Sequence, residues 1–197
     1  HADHVTIIKA LGENLPPEGR KYPVYIVAGM KVDKEEISGR FNRAYSHPVV
    51  WTLEEEDGEE ARFRAHVINR RASKVIDELL KEPCILVLYL EGSRSRTGRL
   101  HLPALGSASW LLDKRFGLIA PVAITGTEKM LPPGEQKPNH ANINVEFCET
   151  LKAEEFRQGT SGVSHKERDQ YYGGKILRII ASRLPADRRG IYGSQAV

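Results

Sequence analysis

The chain has 197 residues, of which 40% are apolar and 28% charged, and its net charge is +3. That length can bury a full core in one domain, and the balance is that of an ordinary globular protein. So slight a net charge argues against a dedicated nucleic-acid binder, and no apolar run reaches the roughly 18 residues of a membrane-spanning helix, which leaves local basic clusters to meet an anionic surface or substrate.

The chain opens on His1-Ala2-Asp3 with neither an initiator Met nor a signal-peptide pattern, so an upstream part of the natural protein is expected. Val5 to Leu11 reads as a short helix ended by Gly12, before a Pro-rich loop at Leu15-Pro16-Pro17. Pro23 to Ala28 reads as a strand stopped by Gly29, and Pro48 to Leu53 as a second. Glu54 to Glu60 reads as an acidic, solvated turn. The clearest helix runs from Ala61 to Lys81, with Ala61, Ala65, Ile68, Ala72, Val75, Ile76, Leu79 and Leu80 at helical spacing, and Pro83 forbids its continuation. His66 falls on the polar side of this helix and is expected to be solvated.

A strand from Cys84 to Leu90 leads directly into Glu91-Gly92-Ser93-Arg94-Ser95-Arg96-Thr97-Gly98-Arg99. This turn combines three guanidinium groups, small hydroxyl side chains and two glycines, many donors with little bulk. Arginine forks match phosphate oxygens, and charge-assisted hydrogen bonds are about twice as strong as neutral ones, so the turn is suited to an anion. A Glu at the end of a buried strand sits where open α/β sheets collect ligands. The segment is not a nucleotide-binding P-loop: five residues separate Gly92 from Gly98 where four are needed, and Arg99 stands where Lys belongs. His101 follows closely enough to line the same site.

Ser107 to Phe116 reads as a helix closed by Gly117, Leu118 to Thr125 as an apolar strand, and Asn142 to Glu149 as an alternating one. Ser164 and Glu167 form a candidate capping box. The last helix reads as Lys175 to Leu184, with Gly173 and Gly174 interrupting the path to it. Trp110, Leu111, Leu112, Tyr171 and Tyr172 read as packing residues. Cys84 and Cys148 lie in strand-like stretches and are expected to be buried and reduced, as suits a cytosolic compartment. No Cys and His spacing suits zinc, and no metal is expected. Strands separated by helices place the chain in the α/β class. One domain is expected over 1–184, with 185–197 as a peripheral tail.

Glu91-Gly92-Ser93-Arg94 resembles the Glu-Gly-x-Arg block of the glycerolipid acyltransferases, the 1-acylglycerol-3-phosphate acyltransferase family. Ile119-Ala120-Pro121-Val122-Ala123-Ile124-Thr125-Gly126-Thr127-Glu128, extended by Leu131-Pro132-Pro133-Gly134, is similar to that family's later block. Val27-Ala28-Gly29 is read as the counterpart of a segment near the active site. The resemblance implies a glycerol-3-phosphate acyltransferase-like fold, a mixed, mostly parallel sheet flanked by helices. It implies acyl transfer from acyl-CoA or acyl carrier protein, a substrate and not a cofactor, to the hydroxyl of 1-acylglycerol 3-phosphate (lysophosphatidic acid) in phospholipid synthesis. Glu91, Gly92, Ser93, Arg94, Arg96 and Pro121 would then bind substrate. The work would be done at a membrane surface, on the cytoplasmic, inner face, without nucleic acid.

The family's base is a His with an Asp five places on, and none of the seven His of this chain has one. Ala2-Asp3, followed by the apolar Val5, Ile7 and Ile8, resembles the end of that block, with Asp3 as its acid and its His upstream of the chain; His1 acting with Asp3 is the weaker alternative. Two other readings stay open: acylation of glycerol 3-phosphate or another hydroxylated lipid, and a non-catalytic module that binds anionic lipid or nucleic acid through its arginines.

Overall fold

The computed structural model describes residues 2–29, 48–50, 58–92, 95, 97–104, 117–130, 132, 135, 137–157, 164, 167 and 169–193. The helix read at Ser107 to Phe116, residues 51–57 and the apolar Trp110, Leu111 and Leu112 lie outside them. Helices and strands alternate, as in an α/β protein. The contacts divide the chain into two compact units, one of Ile8–Tyr89 and one of Ala2–Ile7 with Leu90–Val197.

Helix α1 runs over Ala2–Asn14 and passes straight through Gly12. A single glycine costs only about 1 kcal/mol in a helix, too little to end one whose neighbours still bond. Pro16 is what stops it, because the residue before a proline is driven out of the α region. Leu15 still donates its amide to Leu11 at 2.9 Å, and the Asn14 side-chain amide donates to Ala10 at 2.8 Å.

In the first unit β1 (Val24–Ile26) pairs in parallel with β4 (Ile85–Val87), in the register Val24 to Ile85 and Ile26 to Val87. Strands β2 (Ala28–Gly29) and β3 (Val49–Val50) form a second parallel pair. The strand expected to reach Leu90 stops at Val87, because its partner runs out: the last rung is the Val27 amide on the Val87 carbonyl at 3.0 Å. Helix α2 spans Glu59–Leu79 and packs on β3. It begins two residues before the expected Ala61, since Glu59 and Glu60 are favoured in a first turn by the helix dipole. Its inward stripe is Ala65, Ala72 and Ile76, while Val75 is 44% exposed, so the apolar face is narrower than the spacing suggests. His66 is exposed.

The second unit is built on antiparallel pairs. Strand β6 (Val122–Thr125) pairs with β7 (Asn144–Phe147), and β5 (Leu118–Ile119) with β8 (Leu151–Lys152). The single strand expected from Leu118 to Thr125 is thus broken at Ala120-Pro121. Proline has no amide to give to a ladder, yet its carbonyl accepts from the Cys148 amide at 2.9 Å and carries the pairing across the break. Among the described residues the strand pairs are therefore four two-stranded ladders, two parallel and two antiparallel, where a mostly parallel sheet was expected.

Short helices α3 (Thr127–Met130) and α4 (Ala153–Arg157) follow β6 and β8. Helix α5 (Gly174–Arg183) packs on β6 and buries Ile176, Leu177 and Ala181. Gly173 and Gly174 do not interrupt the path: a π-helical turn, Asp169–Gly173, runs directly into α5. Gly173 has a further reason to be glycine, since a Cβ there would come within 2.7 Å of the Pro103 ring. Tyr172 is fully buried, while Tyr171 lies edge-on to it and is 54% exposed. Cys148 is buried, Cys84 half-buried, and both are free, with burial pushing each thiol above its ordinary pKa. Among the described residues no helix is long and apolar enough to cross a membrane.

Two outcomes are expected. Gly126, at φ +95°, closes the β6 end so tightly that a Cβ would overlap the Asn142 carbonyl oxygen. Gly126→Ala should lower stability by about 1–3 kcal/mol in a denaturant titration. Ser164 and Glu167 form the reciprocal capping bonds, with Ser164 donating its amide and hydroxyl to the carboxylate at 2.8 and 2.6 Å. The side-chain and then the backbone bond to Ser164 lower the Glu167 pKa, so the stability they contribute is present above the ordinary carboxylate pKa and lost as pH falls through the lowered value. An NMR titration should find the Glu167 midpoint below the ordinary one in the native protein and restored in Ser164→Ala.

Candidate anion-binding site

The basic turn belongs to the second unit and is closed at its base by two bonds. The Leu90 carbonyl accepts from the Ala104 amide at 2.8 Å, and Glu91 Oε1 accepts from the His101 amide at 2.9 Å. His101 Nε2 lies 3.4 Å from the same carboxylate oxygen, so both the backbone and the ring of His101 face Glu91. A carboxylate repels phosphate, and its position explains its use: it holds the turn's return leg at His101.

Gly92 and Gly98 bracket the turn at φ +66° and +70°, the left-handed region that costs glycine least. Between them the hydroxyls of Ser95 and Thr97 lie 3.3 Å apart, and the Arg99 amide donates to Thr97 Oγ1 at 3.4 Å. Arg99 is exposed. The far end of the turn is anchored by Arg188. Its Nη1 donates to the Gly98 carbonyl at 3.3 Å, its Nη2 to Glu128 Oε1 at 2.8 Å, and its own carbonyl accepts from the Leu100 amide at 3.0 Å. Glu128 Oε2 in turn accepts from the Gly126 amide at 2.9 Å.

The segment after α5, expected to be a peripheral tail, supplies this anchor through two 3-10 turns, Ala186–Arg188 and Gly190–Tyr192. Tyr192 is 8% exposed, and the Arg178 guanidinium stands 6.0 Å from its ring centre. Burial first, opposed by Arg178 and reinforced by Glu91, raises the Tyr192 pKa. Its buried hydroxyl, which meets no hydrogen-bond partner among the described residues, therefore stays protonated.

Of the residues singled out from sequence, Glu91, Gly92 and Pro121 are described, and all three fall in the second unit. Pro121 is buried and shapes the β5–β6 break. Asp3 lies in α1, in the part grouped with the second unit, and its side chain is not among those described. His1, Ser93, Arg94 and Arg96 lie outside the described residues. Arg188, Glu128 and Tyr192 were not anticipated as parts of the site: Arg188 meets Gly98 across 90 positions and Glu128 across 60, and no local pattern signals that.

Neither a protein-family profile nor a curated protein sequence matches the chain. Among solved structures it is similar to the 1-acyl-sn-glycerophosphate (LPA) acyltransferase PlsC from Thermotoga maritima, at a TM-score of 0.49 and 17% identity, over 81% of this chain. The chain spans 56% of the length of that protein.

The bond from His101 to Glu91 should be measurable. Glu91→Ala removes a charged acceptor from a partly buried amide and is expected to cost about 1.5–3 kcal/mol, while Glu91→Gln, which keeps an acceptor oxygen, should cost less than half as much. Denaturant midpoints of the two variants, with amide exchange at His101, check this.

Proposed function

We propose that the protein is an O-acyltransferase that moves a fatty acyl chain from an acyl thioester to the free hydroxyl of 1-acylglycerol 3-phosphate. The reading is carried by one observation: Arg188 joins Gly98, just past the Glu-Gly-x-Arg block, to Glu128, within the Pro121 block. Two sequence blocks about thirty residues apart, each similar to a block of the same family, are thereby tied together within one unit.

The chemistry would proceed without a covalent enzyme intermediate. An imidazole removes the acceptor's hydroxyl proton as that oxygen attacks the thioester carbonyl; the C–O bond forms, the C–S bond breaks, and the proton passes to the leaving thiolate. Asp3 is proposed to hold the imidazole in its reactive tautomer and to stabilise its charged form. Arg94 and Arg96, with the hydroxyl of Ser93, would clamp the acceptor's phosphate, and that binding energy orients the hydroxyl. The donor is acyl-CoA or acyl carrier protein, and the setting is the cytoplasmic face of a membrane, where lysophosphatidic acid resides.

Release of free thiol from acyl-CoA, measured with lysophosphatidic acid and with glycerol 3-phosphate as rival acceptors, tests the proposal. Faster release with lysophosphatidic acid is expected, and Arg94→Ala should raise that acceptor's KM by about tenfold or more. Preference for glycerol 3-phosphate would reassign the acceptor. No acceptor-dependent release, together with steeply salt-sensitive binding to unrelated polyanions, would replace the enzyme with a non-catalytic anion-binding module.

A further inference from the structure

We infer that Arg188 is a positioning residue for the phosphate-bearing acceptor, acting from the carboxyl-terminal segment by fixing the far end of the basic turn at Gly98 and Leu100. This rests on the reading of Glu91–Arg99 as the acceptor site. Gly92 and Gly98 both lie in the left-handed region, and glycine loses more conformational freedom than any other residue when its backbone is fixed. Its near end is closed through Leu90 and Glu91, whereas its far end depends on the carboxyl-terminal segment for the Gly98 and Leu100 bonds.

Three features make this anchor specific. Arg188 is only 22% exposed, and Glu128 occupies its Nη2, so its charge is already matched and it serves as a brace instead of as the anion's counter-ion. A planar guanidinium reaches the carbonyl and the carboxylate from two nitrogens in a fixed fork, which a lysine's single nitrogen reproduces only in part. The backbones are also fitted to each other: a Cβ on Gly98 would overlap the Arg188 guanidinium, and one on Gly190, at φ +55°, would overlap the Leu100 carbonyl oxygen. Ordering a site at the moment of binding weakens affinity, and fixing Gly98 and Leu100 beforehand lowers that cost. The expected signature of losing the brace is weaker acceptor binding with an intact chemical step.

The test compares wild type, Arg188→Ala and Arg188→Lys for acceptor KM and kcat with lysophosphatidic acid, for glycerol 3-phosphate affinity by calorimetry, and for amide exchange in peptides covering 91–101 and 144–147. Arg188→Ala should raise the acceptor KM about fivefold or more while kcat and the donor KM stay within about twofold. Exchange should quicken about tenfold or more over 91–101 and stay unchanged over 144–147, and Arg188→Lys should fall between. Should Arg188→Ala fail to fold, Glu128→Gln, which weakens the brace without removing it, should shift the same quantities in the same direction by less.

An unchanged acceptor KM and glycerol 3-phosphate affinity in a folded variant would overturn the inference, whether or not exchange changes. Absence of acyl transfer in wild type would instead overturn the acyltransferase reading. The brace would then be judged on glycerol 3-phosphate affinity, and a wild type that does not bind that anion would overturn both.

Discussion

A cluster of arginines on one short turn cannot be held together by burying apolar surface, because the turn contains none; it has to be closed by polar bonds at its edges. That constraint organises the second unit. Glu91 closes the near side against the His101 amide, and Arg188 closes the far side against Gly98 and Leu100. Each closing group carries a charge and is less than a third exposed, where charge-assisted bonds keep more of their strength than on an open surface.

The apolar framework around the turn fits this arrangement. Strand β6 and helix α5 form a packed layer of Ala123, Ile176, Leu177 and Ala181, and Glu128 follows β6 directly while the Arg188 segment follows α5 directly. The two halves of the Arg188 ion pair are therefore presented from two elements that already pack together. The brace needs no long side-chain excursion, because both of its ends leave the same layer.

What the sequence discloses is the part governed by local periodicity. The stripe of Ala65, Ala72 and Ile76 is visible because neighbouring residues alone decide it, whereas the alternation read through Ile143, Val145 and Phe147 fails at Phe147, which is exposed while Cys148 is buried. The errors lie where a distant partner decides. Gly173 looked like a break, but it is small so that Pro103 can pack on it. The strand toward Leu90 ended early because β1 offers nothing beyond Val27 to pair with. In the candidate site, composition singles out the turn and proximity singles out His101, which the structure bonds to Glu91. Arg188 was not, since one arginine in a segment poor in apolar residues carries no mark of a contact formed across 90 positions.

The contact of Pro103 with Gly173 also constrains how this protein can vary. The proline ring fills the space where any larger residue at 173 would place its Cβ, and position 103 lies one residue before the Ala104 amide that closes the turn's base. Neither position is free to drift alone: a side chain at 173 is tolerable only with a smaller residue at 103, and replacing the proline first would leave a gap beside the helix. The two sites should therefore change together or not at all, and their effects on stability should fail to add.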